Sequence, residues 1–197
     1  MDIVMQAGTQ RGFATVRYVF DKTVGRFTVQ AFATGFLSSF GHDPTIAIRD
    51  YAGEVSFVPG TFENTEVHLS LRTASLEPQD EMKRDDLAKL QGAMYGEVLD
   101  VEHFPEALFE SKQVKVQSQG SDLLQANVSG NLQLRGITQP HSFDAHVQVM
   151  GTMLRISGEF ALRQSSFGIK PVSIAGGALK LKDELKFRFD IVAKKEE

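Results

Sequence analysis

With no cysteine in the chain, its five histidines carry most of the capacity for acid–base or metal chemistry near neutral pH. His42 draws attention first. It stands in SSFGHDPTIAIRD, residues 38–50, beside Asp43 and inside a Gly-His-Asp-Pro knot. A histidine next to an aspartate can be half of an acid–base pair, part of a metal site, or the tip of a turn. The turn reading has the stronger local physics. Gly41 tolerates positive φ, Asp43 can cap its own turn, and Pro44 fixes φ. Catalysis would need a nucleophile or reacting group within hydrogen-bond reach, and no spacing in the chain supplies one.

The other four histidines do not converge. His68 and His146 alternate with apolar neighbours and so face outward from strands; His141 follows Pro140 at the start of a strand; His103 precedes Phe104-Pro105 in a connection. Metal ligation needs ligands on a shared face, which this pattern does not provide. Asp85-Asp86 and Glu196-Glu197 read as solvated charges rather than paired acid and base. There is no phosphate loop, nucleophile elbow, HExxH or calcium loop, and Asn127-Val128-Ser129 is a glycosylation sequon inside a predicted strand. The expectation is no catalytic residue, no metal and no cofactor.

The elements that would position any such group are strands. From Leu124, apolar or small residues alternate with polar ones through Ala126, Val128, Gly130, Leu132 and Leu134. This is the pattern of a strand with one buried face. It recurs at Phe143, Ala145, Val147 and Val149; at Leu154, Ile156, Gly158, Phe160 and Leu162; at Leu185, Phe187, Phe189 and Ile191; and at Val67, Leu69 and Leu71. Weaker alternation covers 13–20, 25–36, 45–58 and 106–116. Turn chemistry at Asp21-Lys22, Pro59-Gly60, Gln119-Gly120, Met150-Gly151 and Gly176-Gly177 separates many of these segments. Eight or nine long strands in sequence point to an antiparallel up-and-down barrel. Residues 78–100 break the rhythm: Leu87, Leu90 and Met94 at helical spacing predict one amphipathic helix over about 80–95, between strands 4 and 5.

Composition narrows the function classes. A net charge of −4 with scattered positive residues disfavours nucleic acid as a partner. No apolar run approaches the roughly 18 residues of a membrane-spanning helix. The beginning of the chain lacks a basic, apolar, small-residue leader pattern, so the expectation is a cytoplasmic protein, or a periplasmic one if a leader has been removed. Fifteen Phe against three Tyr and no Trp favour a dry interior. One domain is expected over 1–197, with 1–12 as an N-terminal extension; a homodimer is left open.

Three segments together resemble the YceI-like family, described as polyisoprenoid-binding proteins with a lipocalin-like barrel. They are VLDVEHFPEALFES (98–111), SGNLQLRGITQPHSFDA (129–145) and LRQSSFGI (162–169). The second is similar to the family's Gly-x-Leu-x-Leu-x-Gly-Val-Thr-x-Pro pattern, with Ile137 in place of Val. Their order and spacing agree, and the resemblance extends from about Thr15 onward. The 80–95 helix is longer than usual for the family, and FGHDPTI replaces a plainer turn. The resemblance implies an all-β, elongated, eight-stranded antiparallel barrel whose lumen holds a long bacterial isoprenoid such as a quinone or polyprenyl tail.

The residues agree with such a lumen. The inward sets contain Val29, Phe57, Leu69, Leu71, Phe109, Leu132, Leu134, Phe143, Val147, Ile156, Phe160, Phe187 and Phe189, with Phe36, Phe40, His42 and Phe167 near the ends; Ala126, Gly130, Ala145 and Gly158 among them would leave a channel. At ~0.8 kcal/mol per buried carbon, several isoprene units would outweigh the ~4–15 kcal/mol cost of association without headgroup contacts. The expected role is non-catalytic binding, sequestration or transport of a long apolar isoprenoid. The alternatives are an enzyme acting on a lipid headgroup at the mouth through His42 and Asp43, and a solidly packed interaction module.

Overall fold

The structure is a computed structural model, and it describes residues 14–34, 43–81, 84–171, 173–174 and 179–197. The alternating segments form eight long antiparallel strands that close on themselves. In chain order they are β1 (Val16–Gln30), with β2 (Ala33–Thr34) and β3 (Thr45–Ile48) as short attachments, then β4 (Tyr51–Phe57) and β5 (Glu66–Arg72). The short β6 (Leu76–Pro78) follows, then β7 (Glu106–Ser118), β8 (Leu123–Leu134), β9 (Ile137–Met150) and β10 (Met153–Arg163). After β11 (Ser173–Ile174) and β12 (Leu179–Leu181), the chain ends in β13 (Glu184–Lys195). The wall runs β13-β10-β9-β8-β7-β5-β4-β1, and β1 pairs back to β13, so no long edge is left open.

The hairpins follow local turn chemistry. Arg135 and Gly136, at φ of 50° and 74°, make the two-residue turn between β8 and β9 whose twist matches the flanking strands. Gly60 and Gly151 also sit at positive φ, in the connections expected at Pro59-Gly60 and Met150-Gly151. The expected turn at Gly176-Gly177 lies outside the described residues.

Asp21-Lys22 is not a turn. β1 runs straight through it with a bulge, pairing Asp21 with Val192 and then Arg26 with Asp190. The Asp21 carboxylate accepts hydrogen bonds from the Thr23 backbone N–H at 2.9 Å and hydroxyl at 2.5 Å, and pairs with Lys194 Nζ at 2.6 Å. An aspartate that binds its own backbone two residues on can serve a bulge as well as a reversal. Two expected strands therefore merge into one.

The 45–58 segment is broken instead, into β3 and β4, and the break is matched across the wall by a 3₁₀ turn at Thr73–Ser75 between β5 and β6. Backbone bonds from Arg72 N–H to Asp50 O and from Arg49 N–H to Ser75 O stitch the two kinks together. Beyond the kink, β3 pairs with β1 and β6, while β7 pairs with β5. The helix α1 (Arg84–Ala93), extended by a π turn over Met94–Val98, lies at that end of the wall, and Tyr95 Oη donates to Leu76 O at 2.7 Å. The expected helix is thus present, beginning and ending a few residues later than predicted.

Candidate site: an apolar lumen

Inward-pointing side chains do not fill the barrel. A cavity of about 230 Å3 runs through it, lined from every wall strand and from the helical segment through Leu90, Met94, Val98 and Leu99. At one probe sphere of roughly 15 Å3 per water, this is room for on the order of fifteen water-sized spheres. The solidly packed alternative fails on this observation.

The wall is hydrocarbon. No Lys, Arg, Asp or Glu side chain is among the described residues that line it. Aromatic rings form a belt at mid-barrel: Phe160 stacks on Phe187 with centroids 4.8 Å apart, Phe143 lies 5.5 Å from Phe160, and Phe189 lies 5.7 Å from Phe143 and 6.0 Å from Phe27. These are ordinary offset and edge-on distances for rings that pack favourably.

The inward glycines act differently from the expectation of open channel space. A Cβ at Gly158 would sit 2.6 Å from Phe189 Cζ, one at Gly130 would sit 2.8 Å from Phe109 Cζ, and one at Gly53 would sit 2.8 Å from Phe20. Each glycine is a seat on which a phenyl ring from the adjacent strand lies. The rings are laid along the wall, and the axis is kept clear by their placement rather than by missing side chains.

Of the residues expected at the lumen, Val29, Phe57, Leu69, Leu71, Phe109, Leu132, Leu134, Phe143, Val147, Ile156, Phe160, Phe187 and Phe189 do line the cavity. Phe167 does not. It is buried at 1% exposure, packed against Leu162 and Ile169, which themselves line the cavity. The 3₁₀ turn Gln164–Phe167 takes it out of the strand's in–out alternation. Phe36, Phe40 and His42 lie outside the described residues. Asp43 is described, and its Oδ1 accepts a hydrogen bond from Ala33 N–H at 2.8 Å, which fits a connection-stabilising role.

Four polar side chains also reach the cavity: Thr65, Thr73, His141 and Gln164. Three have backbone acceptors. Thr65 Oγ1 donates to Phe62 O at 2.6 Å, Thr73 Oγ1 to Phe104 O at 2.8 Å, and Gln164 Nε2 to Lys182 O at 3.0 Å. His141 is the exception, with Nε2 buried and no partner. Its ring meets Phe160 edge-on at 4.9 Å, and burial pushes its pKa below the ordinary histidine value.

His141 was legible but missed. β9 begins at Ile137, so Pro140 lies within the strand opposite Asn131, and the alternation of Phe143 and Ala145 extends back to His141. Reading proline as the strand's start ended the pattern one step too soon. His68 and His146 do lie on the outer face, both exposed. His103 caps the 98–105 connection, with Nδ1 2.7 Å from Asp100 Oδ1, and that hydrogen bond raises its pKa. Among the described residues no three His, Asp or Glu side chains gather to hold a metal, and no helix is long and apolar enough to cross a membrane.

Comparison with known proteins agrees with this architecture. The YceI-like domain profile matches residues 6–193. The crystal structure of Burkholderia cenocepacia BcnA is similar with a TM-score of 0.68 at 17% identity, covering 89% of this chain and 99% of that one. A polyisoprenoid binding domain from Saccharophagus degradans, implicated in plant cell wall breakdown, gives 0.66 at 13% identity, covering 91% and 98%. The Campylobacter jejuni YCEI protein gives 0.56 at 15% identity, covering 77% and 85%. No curated protein matches the sequence.

Proposed function

The chain belongs to the YceI-like domain family, and on that premise we propose that it binds one long isoprenoid lipid, of quinone or polyprenyl type, in the barrel lumen and sequesters or carries it without chemical change. The observation that supports this most directly is a cavity of about 230 Å3 with no ionisable side chain except one histidine among its described lining residues. Water gains little there, because a water molecule needs two to four polar partners. A vacant void forfeits dispersion contacts at roughly 24 cal/mol per Å3, on the order of 5 kcal/mol for the whole lumen. A flexible hydrocarbon removes that penalty and buries its own surface.

Lining contributed along all eight wall strands suits an extended chain more than a compact ligand. The relative from Saccharophagus degradans is described as a polyisoprenoid binding domain, which supports the same ligand class. The polar inventory supports the non-catalytic part of this reading. Thr65, Thr73 and Gln164 donate to backbone, and no carboxylate is among the described residues that line the lumen around His141.

Organic extraction of the purified protein followed by mass spectrometry is the test. A prenyl lipid at close to one per chain is the expected result. Repeatedly empty extracts, together with no uptake of added ubiquinone, would overturn the reading.

A further inference from the structure

Two buried polar atoms in the described structure have no hydrogen-bond partner: Tyr51 Oη and His141 Nε2. They are differently placed. Tyr51 is 3% exposed, does not line the cavity, and its hydroxyl fills the space over Gly25 on β1. His141 lines the cavity, with Phe160 and Phe143 against its ring at 4.9 and 6.5 Å. An unpaired buried nitrogen is destabilising. Phenylalanine, already frequent among the lining residues, would fill the same place without that cost.

We propose that His141 Nε2, the one buried lining atom without a partner among the described residues, is a hydrogen-bonding point for ligand, and that it selects an isoprenoid carrying an uncharged oxygen, a hydroxyl or a carbonyl, that is drawn inside the barrel. This rests on the lipid-binding reading and adds to it the chemistry and position of the ligand's polar end. Neutral imidazole offers one N–H and one lone pair, so it can pair with a carbonyl as donor or with a hydroxyl as either. Burial favours that neutral form.

The same inventory excludes a charged head at this point. No lysine or arginine lines the described lumen, and an anion placed against a single neutral imidazole would lose its hydration with no countercharge. A prenyl phosphate would have to leave its head outside, and His141 would then make no contact with it.

The experiment is a ligand-by-variant cycle on the full chain. The probes are geranylgeraniol and the hydrocarbon in which its hydroxyl is replaced by hydrogen, each assayed by displacement of a fluorescent polyene. In His141→Phe, hydrocarbon affinity should hold while alcohol affinity falls about tenfold, the effect of one buried hydrogen bond. His141→Gln, which keeps a donor and an acceptor, should retain part of the alcohol preference. His141→Leu serves in place of His141→Phe should that variant fail to fold, with hydrocarbon binding reporting an intact lumen.

Equal losses for both probes, or an unchanged alcohol-to-hydrocarbon ratio, would overturn the inference while leaving lipid binding intact. Geranylgeranyl phosphate that binds more tightly than the alcohol and weakens in His141→Phe would also overturn it. Failure of both uncharged probes to bind the unaltered protein would bring down the lipid-binding reading and this inference together.

Discussion

Strand β10 shows two surfaces in eleven residues. On its outer face Arg155 makes a two-pronged pair with Asp190 on β13, at 2.8 and 2.6 Å, and Glu159 pairs with Lys186 at 2.8 Å and Arg188 at 3.4 Å. On its inner face Leu154, Ile156, Phe160 and Leu162 line the lumen, and Gly158 carries the Phe189 ring. Neighbours in sequence, about 3.4 Å apart along the strand, thus face two different solvents. The outer charges meet water and one another, while the alternate residues face the cavity. Changes on the two faces should therefore have unequal consequences.

The largest effect should come from putting a charge on the wrong face. Ala145 is 3% exposed and lines the cavity. Ala145→Asp should cost at least about 3 kcal/mol and abolish lipid retention, because the carboxylate has no partner. His146→Asp, one residue along and exposed, should stay within about 0.5 kcal/mol of the parent in urea denaturation.

A second change tests the ring-on-glycine arrangement. Gly158→Ala places a Cβ within 2.6 Å of both Phe189 Cζ and Asp144 O. The ring should be driven toward the axis, with a loss of about 1–3 kcal/mol from overpacking and a measurable fall in bound lipid. Unchanged lipid content in a folded Gly158→Ala protein would show that the seats do not keep the lumen open.

The third effect is a pH signature. His141 is held below its ordinary pKa by burial, so the unfolded chain takes up the proton first. Its contribution to stability is complete above about pH 6.5 and declines as pH falls from there through the folded value. His103 is raised by its hydrogen bond to the Asp100 carboxylate, and runs the other way: its contribution is present below about pH 6.5 and fades as pH rises through the folded value. Urea midpoints between pH 5 and 8 should lose the acid-side decline in His141→Phe and the alkaline-side decline in His103→Ala.

The smallest effect is expected from Arg155→Ala. It removes an exposed ion pair, and surface pairs contribute little. Melting temperature and extracted lipid should both match the parent.

Much of this could be read before any coordinates. The strict alternation of 124–134 survives as β8, and Val147, Ile156 and Phe187 lie where their parity puts them. Period two carries that information because each strand has one wet face and one greasy face. What failed was punctuation. Asp21 looked like a reversal, yet its side-chain bonds to Thr23 support a bulge in an unbroken strand. Pro140 looked like a boundary, yet it sits inside β9 and hides the inward His141. Gly130 and Gly158 looked like empty space, since the direction of a phenyl ring on the next strand is a tertiary fact that no single-strand pattern records. Phe167, expected to touch ligand, is buried in a 3₁₀ turn against lining residues without lining the cavity itself.

Native mass spectrometry of the intact protein titrated with geranylgeraniol tests the division between the two faces most directly. The prediction is one discrete adduct per chain, present in the parent and in Arg155→Ala and lost in Ala145→Asp. Several adducts of similar strength, or a single adduct that persists in folded Ala145→Asp, would place binding on the outside of the barrel and contradict the account.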